Sequence, residues 1–223
     1  MPIFATRMVR RGLGRVEGGL TLHTHFRMDG TWHLYPAGEP WRGGPDWQVR
    51  VVLGNDEWTA VGYRLPVVEL LETAHEDRAV GHLGPDVLGP DWDTDEAVRR
   101  LLADPGREIG MALLDQRNLA GLGNLYRIEL LFLRGITPWV TVGEVHDLPA
   151  LVELGRRLML ANKDRVEQIT TGSKKRGETH WVFERTGRPC RRCGARILSA
   201  EQGDPPYQRL TYWCPHCQLG PTP

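Results

Sequence analysis

This sequence of 223 residues has no long apolar run and little lysine. It has no cysteine outside one short segment. No stretch approaches the roughly 20 apolar residues that span a bilayer. The arginine-rich start also lacks the apolar core and cleavage site of a secretory signal. We therefore expect a cytoplasmic protein with no membrane partner. A composition of 40% hydrophobic and 25% charged residues is that of an ordinary globular protein, which excludes a disordered or fibrous chain.

The whole chain has no excess of positive or negative charge, but its two parts do. The 28 basic and 28 acidic residues cancel, which by itself argues against a nucleic-acid partner. Residues 1–150, however, carry a net −6 and residues 151–223 a net +6. Because only three residues are lysine, most of the positive charge belongs to guanidinium groups, whose planar fork suits phosphate and base edges. The C-terminal third is therefore a basic module.

All four cysteines lie within 28 residues near the C-terminus, as two C-x₂-C pairs separated by 20 residues: Cys190, Cys193, Cys214 and Cys217. This spacing can close one tetrahedral Zn²⁺ site. Two disulfides are the alternative, but a two-residue spacing in a cytoplasmic protein favours metal. Short strands over Arg196–Leu198 and Arg209–Trp213 would complete a zinc-ribbon hairpin. The metal should supply much of the folding free energy of so small a unit.

Upstream, the pattern predicts an α+β fold in three domains. Residues 1–82 should form an antiparallel β-sandwich, because apolar residues alternate from Leu20 to Met28 and hairpin signals follow. Residues 83–168 should be helical and residues 169–223 should hold a basic loop and the zinc finger. The helices are predicted from Thr94 or Asp93 through Ala103, and over Arg107–Gln116, Asn124–Arg134 and Pro149 to about Asp164.

A two-glycine turn joins the second and third of these helices. Gly121 and Gly123 permit a tight turn and close approach to the backbone, and a helix begins at Asn124. The free N–H groups at a helix N-terminus suit a phosphate, and the Asn124 side chain would add a donor. Alone, such a turn more often connects helices without binding anything.

Four blocks in one order resemble the formamidopyrimidine-DNA glycosylase and endonuclease VIII family of base-excision repair enzymes. The resemblance covers about residues 15–223 and is nearer to endonuclease VIII than to the guanine-oxidation enzymes. It implies a helix–two-turn–helix motif and one structural Zn²⁺. The four blocks are Leu22–Gly30, Leu83–Asp91, Asp115–Glu129 and Gly187–Gln218.

The resemblance also implies how DNA is held. Asn124 and Arg209 match the two residues that grip phosphates flanking the damaged nucleotide, so we expect them to converge on one backbone segment. Extruding that nucleotide costs a few kcal/mol, which wedging side chains help to offset. Arg27 and Met28 stand where the family places its wedge. The basic loop over residues 168–179 would contribute to the pocket for the extruded base, although a flexible, solvated linker explains its residues equally well.

The start of the chain departs from the family. Relatives begin Met-Pro-Glu, and their exposed proline amine attacks the sugar C1′ with help from the glutamate. Here Pro2 is followed by Ile3, and arginine at position 10 or 11 replaces an expected lysine. We therefore expect a truncated sheet domain with residues 1–14 foreign to the fold, through a misplaced start, a disrupted frame or a genuine truncation. Pro2 stays a candidate nucleophile, because an α-amino group is substantially neutral at cellular pH.

Three functions follow as hypotheses. The first is a DNA glycosylase with abasic-site lyase activity on oxidised bases, with pyrimidines favoured. The second is an inactive module that binds damaged or abasic duplex DNA. The third is a zinc-ribbon interaction protein that does not bind DNA. We expect a bacterial, nucleoid-associated monomer whose partner is double-stranded DNA.

Overall fold

The computed structural model describes residues 11–25, 29–165 and 167–223. For residues 11 and 12 it describes the backbone only. The chain divides into two compact units, residues 1–82 and residues 83–223. The first unit is built from antiparallel strands, and the second from helices followed by a hairpin. The predicted α+β fold is therefore confirmed.

Unit 1 contains two three-stranded antiparallel sheets with the orders β1-β2-β6 and β3-β5-β4. Strand β2 pairs with β1, which precedes it, and with β6, which is distant in sequence. The strands of the second sheet, β3 to β5, therefore lie between β2 and β6 along the chain. A short helix α1 follows β6. The elements are β1 Arg11–Val16, β2 Leu20–His25, β3 Thr31–Pro36, β4 Val49–Gly54, β5 Trp58–Tyr63, β6 Val67–Glu72 and α1 Asp77–Val80.

The expectation that residues 1–14 are foreign to the fold is wrong for residues 11–14. These residues belong to β1 and pair in register with β2, with Leu13 opposite His23 and Gly14 opposite Leu22. The alternation from Leu20 to Met28 predicts one apolar face, whereas Thr21, Leu22, His23 and Thr24 are all buried. Because successive side chains of a strand point to opposite faces, β2 is buried on both faces, and it is paired along both edges with β1 and β6.

Unit 2 begins with four helices: α2 Thr94–Leu101, α3 Ile109–Leu114, α4 Asn124–Arg134 and α5 Leu148–Asn162. Helix α2 starts where Asp93 accepts a hydrogen bond from the Glu96 backbone N–H at 3.0 Å. Helix α4 has the predicted bounds, and Gly135 ends it in the left-handed conformation at φ 71°.

The other three helices differ from their predicted bounds. Helix α2 ends two residues before Ala103. Helix α3 is shorter at both ends than Arg107–Gln116, because the Asp115 side chain accepts from the Arg117 backbone N–H at 3.0 Å and turns the chain. Helix α5 starts one residue early because Asp147 caps it, and it ends at Asn162.

The C-terminal hairpin pairs β7 Leu198–Gln202 with β8 Arg209–Trp213. Strand β7 starts two residues later than the predicted Arg196 and continues four residues beyond the predicted end at Leu198. Apolar side chains of α4, Ile128 and Phe132, pack against the hairpin side of the unit together with Val182, Ile197 and Tyr212. No helix in the described ranges is long and apolar enough to cross a membrane.

Candidate nucleic-acid interface and metal centre

The two-glycine turn is held from within by the side chain of Gln116. Its amide accepts from the Gly121 N–H at 2.8 Å and donates to the carbonyls of Leu114 at 3.0 Å and Leu122 at 3.1 Å. Gly121 has φ 97°, which an L side chain adopts only with strain. Hydrogen bonds from Arg117, and then one from Arg107, hold the pKa of Asp115 well below its usual value. The turn is therefore rigid before any ligand arrives.

Gly123 and Asn124 occupy the outer end of α4. Gly123 has φ −100°, and a Cβ added there would meet no protein atom within 4 Å. The protein itself therefore imposes no steric need for glycine at position 123. Asn124 is partly exposed, and its Nδ2 donates to the backbone carbonyl of Leu210 on strand β8 at 3.0 Å.

This contact brings the two predicted phosphate-binding residues, Asn124 and Arg209, to one place within unit 2, because Leu210 follows Arg209 directly. Arg209 is exposed, and its Nη1 donates to the carbonyls of Tyr207 at 3.2 Å and Gln208 at 2.8 Å. In the part of the chain that the structure describes, no carboxylate forms an ion pair with Arg209. Its charge is therefore available to an anionic ligand.

A buried guanidinium, that of Arg127, fixes the helix to the hairpin. Its Nη1 donates to Gln202 Oε1 at 2.6 Å, and its Nη2 donates to Thr211 Oγ1 at 2.6 Å and Asn124 Oδ1 at 2.7 Å. The bond to Asn124 Oδ1 turns the amide donor of that residue toward the hairpin. Burial, and then the charge of Arg209, lowers the pKa of Arg127.

Gln202 extends this network into the helical core. Its Nε2 donates to Glu108 Oε2 and to the Pro138 carbonyl, both at 2.8 Å. Sequence reasoning missed both Arg127 and Gln202. A signal was present for Arg127, because it and Glu129 are charged residues inside a mainly apolar helix, and buried charges require partners. Nothing in the sequence marked Gln202, which lies beyond the predicted end of its strand.

The four cysteine sulfur atoms lie within 4.8 Å of one another. The Cys190 and Cys217 sulfurs are 3.9 Å apart, and the Cys193 and Cys214 sulfurs are 3.4 Å apart. A disulfide needs about 2.05 Å, so all four cysteines are free. A tetrahedron with Zn–S bonds of about 2.3 Å has sulfurs about 3.8 Å apart. The cluster therefore suits a tetrahedral metal ion, and its all-thiolate donor set fits zinc.

The cysteines differ in how readily they ionise in the absence of metal. A hydrogen bond from the Ala195 backbone lowers the pKa of Cys193 to about 7. Burial raises the pKa of Cys214 and of Cys217. A bound cation favours the thiolate form of each ligand, so it would overcome the cost of burial.

Glu129 is a second buried charge on α4 that sequence reasoning missed. Its Oε1 accepts from the N–H groups of Val182 at 2.8 Å and Phe183 at 2.9 Å. Its Oε2 accepts from the Trp181 N–H at 2.8 Å and from the Thr170 hydroxyl. One carboxylate thus holds both the start of the basic loop and the segment that leads into the finger. Trp181 packs on helix α4, with its ring stacked 5.6 Å from that of Phe132.

Three predicted site residues, Pro2, Arg27 and Met28, lie outside the described residues. The candidate interface therefore consists of the two-glycine turn, Asn124, Arg209 and the buried network behind them.

A family model described as the formamidopyrimidine-DNA glycosylase H2TH domain matches residues 83–147. The chain is 56% identical over 216 residues to a probable endonuclease 8 2 of Streptomyces coelicolor, covering 95% of this chain and 76% of that relative. It is 40% identical over 202 residues to the DNA-(apurinic or apyrimidinic site) lyase Nei2 of Mycolicibacterium smegmatis, covering 90% and 76%.

The fold is similar to that of a solved structure of Lactococcus lactis formamidopyrimidine-DNA glycosylase, bound non-covalently to DNA with an abasic site. The TM-score is 0.76 and the identity is 23%, with 97% of this chain and 80% of that chain covered. At this identity, the likeness concerns the fold.

Proposed function

Since the chain belongs to the formamidopyrimidine-DNA glycosylase and endonuclease VIII family, we propose that it is a base-excision repair DNA glycosylase with abasic-site lyase activity. We propose that its substrates are oxidised bases in double-stranded DNA, and among these pyrimidines, as the resemblance to endonuclease VIII implies. The proposal places the protein at the bacterial nucleoid as a monomer.

One observation carries the DNA-binding part of this proposal: the Asn124 amide reaches the backbone of the hairpin that bears Arg209. A helix N-terminus, an amide donor and an unpaired guanidinium then share one surface, and each of them favours a phosphate. In our proposal these groups grip the backbone on either side of the damaged nucleotide. The open space beside Gly123 lets the DNA backbone approach there.

We propose that Cys190, Cys193, Cys214 and Cys217 hold one structural Zn²⁺. Bound zinc would supply a fixed tetrahedral junction and no chemistry on the DNA. Its place in the function is to hold the base of the hairpin, so that Arg209 at the start of β8 keeps its position relative to Asn124.

For the chemical step, Pro2 is the residue that matches the amine nucleophile of the family. After removal of Met1, its neutral nitrogen would attack C1′ while the bond from C1′ to the base breaks, and the proton lost by the nitrogen would leave with the base. Opening of the C1′–O4′ bond of the sugar, with a proton taken up by O4′, would then give an iminium between the nitrogen and C1′. Loss of a 2′ proton from the resulting iminium then breaks the 3′ C–O bond. Ile3 stands where relatives have a glutamate, and this supports the second candidate function, an inactive module that binds damaged DNA.

The DNA grip is tested by fluorescence anisotropy with a duplex that carries an abasic-site analogue. Asn124→Asp keeps the oxygen that Arg127 binds but puts a negative charge where a phosphate is expected, so affinity should fall about 100-fold, or about 3 kcal/mol. Arg209→Ala should weaken binding about tenfold and reduce the salt slope by about one unit. The matched control is Arg188→Ala, because Arg188 is an exposed finger residue whose side chain forms no hydrogen bond or ion pair with the described residues, although its backbone bonds to Arg185 and Ile197. Unchanged affinity in both test variants would reject the grip.

Borohydride trapping on the same duplex, with a true abasic site, separates enzyme from inactive module. A covalent product in which the DNA is mapped to the Pro2 nitrogen by mass spectrometry supports the glycosylase and lyase. Retained binding without a trapped product supports the module and overturns the enzyme proposal. Absence of binding even at low salt favours the third function, a zinc-ribbon protein without a DNA partner.

A further inference from the structure

The basic loop over residues 168–180 is a closed structure rather than a flexible linker. The N–H groups of Thr170 and Thr171 donate to the Thr179 carbonyl at 2.9 and 3.3 Å. The Thr171 hydroxyl donates to the Glu178 carbonyl at 2.6 Å, and the Ser173 hydroxyl donates to the Glu178 carboxylate at 2.8 Å. The loop thus closes on itself and carries Lys174, Lys175 and Arg176 at its tip, all exposed or partly exposed.

Two helices hold the first part of this loop. Glu129 on α4 accepts from Thr170, and the Asn162 side chain at the end of α5 bonds to both the N–H and the carbonyl of Ile169, at 2.7 and 2.9 Å. Neither helix contact reaches beyond Thr170. These helix contacts therefore do not fix the position of the loop tip.

Arg191 provides this attachment from the first metal knuckle. Its Nη2 donates to the Gly177 carbonyl at 2.5 Å, and its Nε donates to the His180 carbonyl at 3.0 Å. Among the described residues, Arg191 is the one outside the loop whose side chain hydrogen-bonds between residues 171 and 178. Because Arg191 lies between Cys190 and Cys193, its backbone position depends on the conformation that metal ligation imposes on the knuckle.

Arginine suits this role better than lysine would. The guanidinium donates from two nitrogens in a fixed plane, so one side chain can fix two carbonyls three residues apart. The neighbouring Arg192 points elsewhere, with its guanidinium 4.5 Å from the centre of the Phe132 ring and 5.8 Å from that of Trp181. The two residues between the ligands thus act separately, Arg192 on the core and Arg191 on the loop.

We propose that Arg191 is a positioning residue that couples the metal centre to the 168–180 loop. The metal site then sets the shape of the base-contacting loop as well as that of the phosphate-gripping hairpin. The loop's contact with an extruded base rests on the function proposed above, whereas the coupling of metal to loop does not.

Trypsin tests the coupling without DNA, because the loop tip offers cleavage after Lys174, Lys175 and Arg176. A protease needs a segment of several residues in extended form, so a closed loop is cut slowly. Arg191→Ala should increase cleavage at the tip about tenfold or more at unchanged zinc content, and chelating the metal from the wild type should do the same. Arg191→Lys has one donor nitrogen in place of the two that arginine uses, and no fixed plane, so it should hold the two carbonyls less well and give an intermediate rate. Arg188→Ala is the matched control.

An unchanged cleavage rate in Arg191→Ala with zinc retained would overturn the proposal. If Arg191→Ala loses zinc, the Arg191→Lys variant decides, and a wild-type rate there would likewise overturn it. Equal acceleration in Arg188→Ala would reduce the effect to a general loosening of the finger and would also reject it.

A second measurement asks whether the loop position matters for the damaged base. Arg191→Ala should retain its affinity for the abasic-analogue duplex, because Asn124 and Arg209 are untouched, but should lose about tenfold in the rate of release of an oxidised pyrimidine. A proportional loss of both would reject the link to the base pocket. If the wild type releases no base at all, the function proposed above fails, and the trypsin result still decides the coupling of metal to loop.

Discussion

The two units of the molecule satisfy their charges in opposite ways. In unit 2, Arg127 and Glu129 are fully buried and are surrounded by hydrogen-bond partners from distant parts of the chain. In unit 1, the best-formed ion pair joins the largely exposed Arg15 to Glu76, with two bonds of 2.9 Å. Buried charges without partners are costly, so unit 2 can adopt only the arrangement that supplies those partners.

The apolar side chains differ in the same direction. Among the described residues of unit 1, the buried apolar side chains are those of Leu22, Val61, Tyr63 and Leu65, whereas most of the molecule's buried apolar residues lie in unit 2. Unit 1 also exposes large apolar groups, among them Leu34 at 69% and Trp47 at 73%. The unit that holds the candidate interface is therefore the more tightly specified of the two. Perturbations of unit 2 should accordingly have the larger effects.

Removal of the metal should have the largest effect. With a strong chelator, the four cysteine sulfurs lose the ion that joins them, and the hairpin loses its base. Cys214→Ala removes one of the four ligands and should have the same effect. We expect the affinity for abasic-analogue duplex to fall at least about 100-fold, with loss of near-ultraviolet circular dichroism from Trp213. Zinc added back after chelation should restore both signals. Full affinity in a demetallated protein would show that the buried polar network alone fixes the hairpin.

Glu129→Ala should come next. It leaves three backbone N–H groups and the Thr170 hydroxyl without their acceptor, and breaking such a buried charged network typically costs about 3–5 kcal/mol. The midpoint of urea unfolding, followed at neutral pH, measures this loss. Glu201→Ala, an exposed glutamate on β7, is the matched control and should change stability by less than about 0.5 kcal/mol. A similar small change in Glu129→Ala would contradict the contrast between the units.

The smallest effect is expected for Glu76→Gln in unit 1. Hydrogen bonds from Arg15 lower the pKa of Glu76 to about 2. A carboxyl whose pKa is lowered on folding stabilises the protein above its unfolded pKa of about 4.3, and this stabilisation is lost as pH falls toward 2. Because Arg15 is largely exposed to solvent, we expect about 1 kcal/mol or less at pH 7.

Urea unfolding of wild type and Glu76→Gln at pH 7 and near pH 2 tests both the size and the sign. The two proteins should differ at pH 7 and converge near pH 2. The exposed Glu57→Gln provides the comparison for loss of a charge without a partner. A difference that grows as the pH falls would mean that the pKa shift has the opposite sign.

The sequence predicted best where local signals determine the structure. The bounds of α4 were predicted correctly because an asparagine after glycine opens it and Gly135 closes it. The cysteine cluster likewise followed from spacing. Strands β1 and β6 were not predicted, because Arg11–Val16 contains two glycines and Val67–Glu72 does not alternate between apolar and polar residues. Their pairing with β2 decides their conformation.

The candidate site could be predicted only at its surface. Asn124 and Arg209 were recognised through the resemblance, but the groups behind them were not. Arg127 contacts Gln202 and Thr211, which are 75 and 84 residues away in sequence. The basic loop was read as equally consistent with a flexible linker, because the bonds that attach it run to Glu129, Asn162 and Arg191. Such long-range partners leave no local pattern.

Helix α4 carries Arg127 and Glu129 two residues apart, and two residues turn a helix by about 200°. Arg127 therefore contacts the hairpin, and Glu129 contacts the loop and the segment after it, from nearly opposite sides of one helix. Any rotation of that helix about its own axis moves both contacts together. A substitution that shifts the contact of Arg127 with the hairpin should therefore also shift the contact of Glu129 with the segment that leads into the finger. We expect compensating changes in homologues on both sides of this helix.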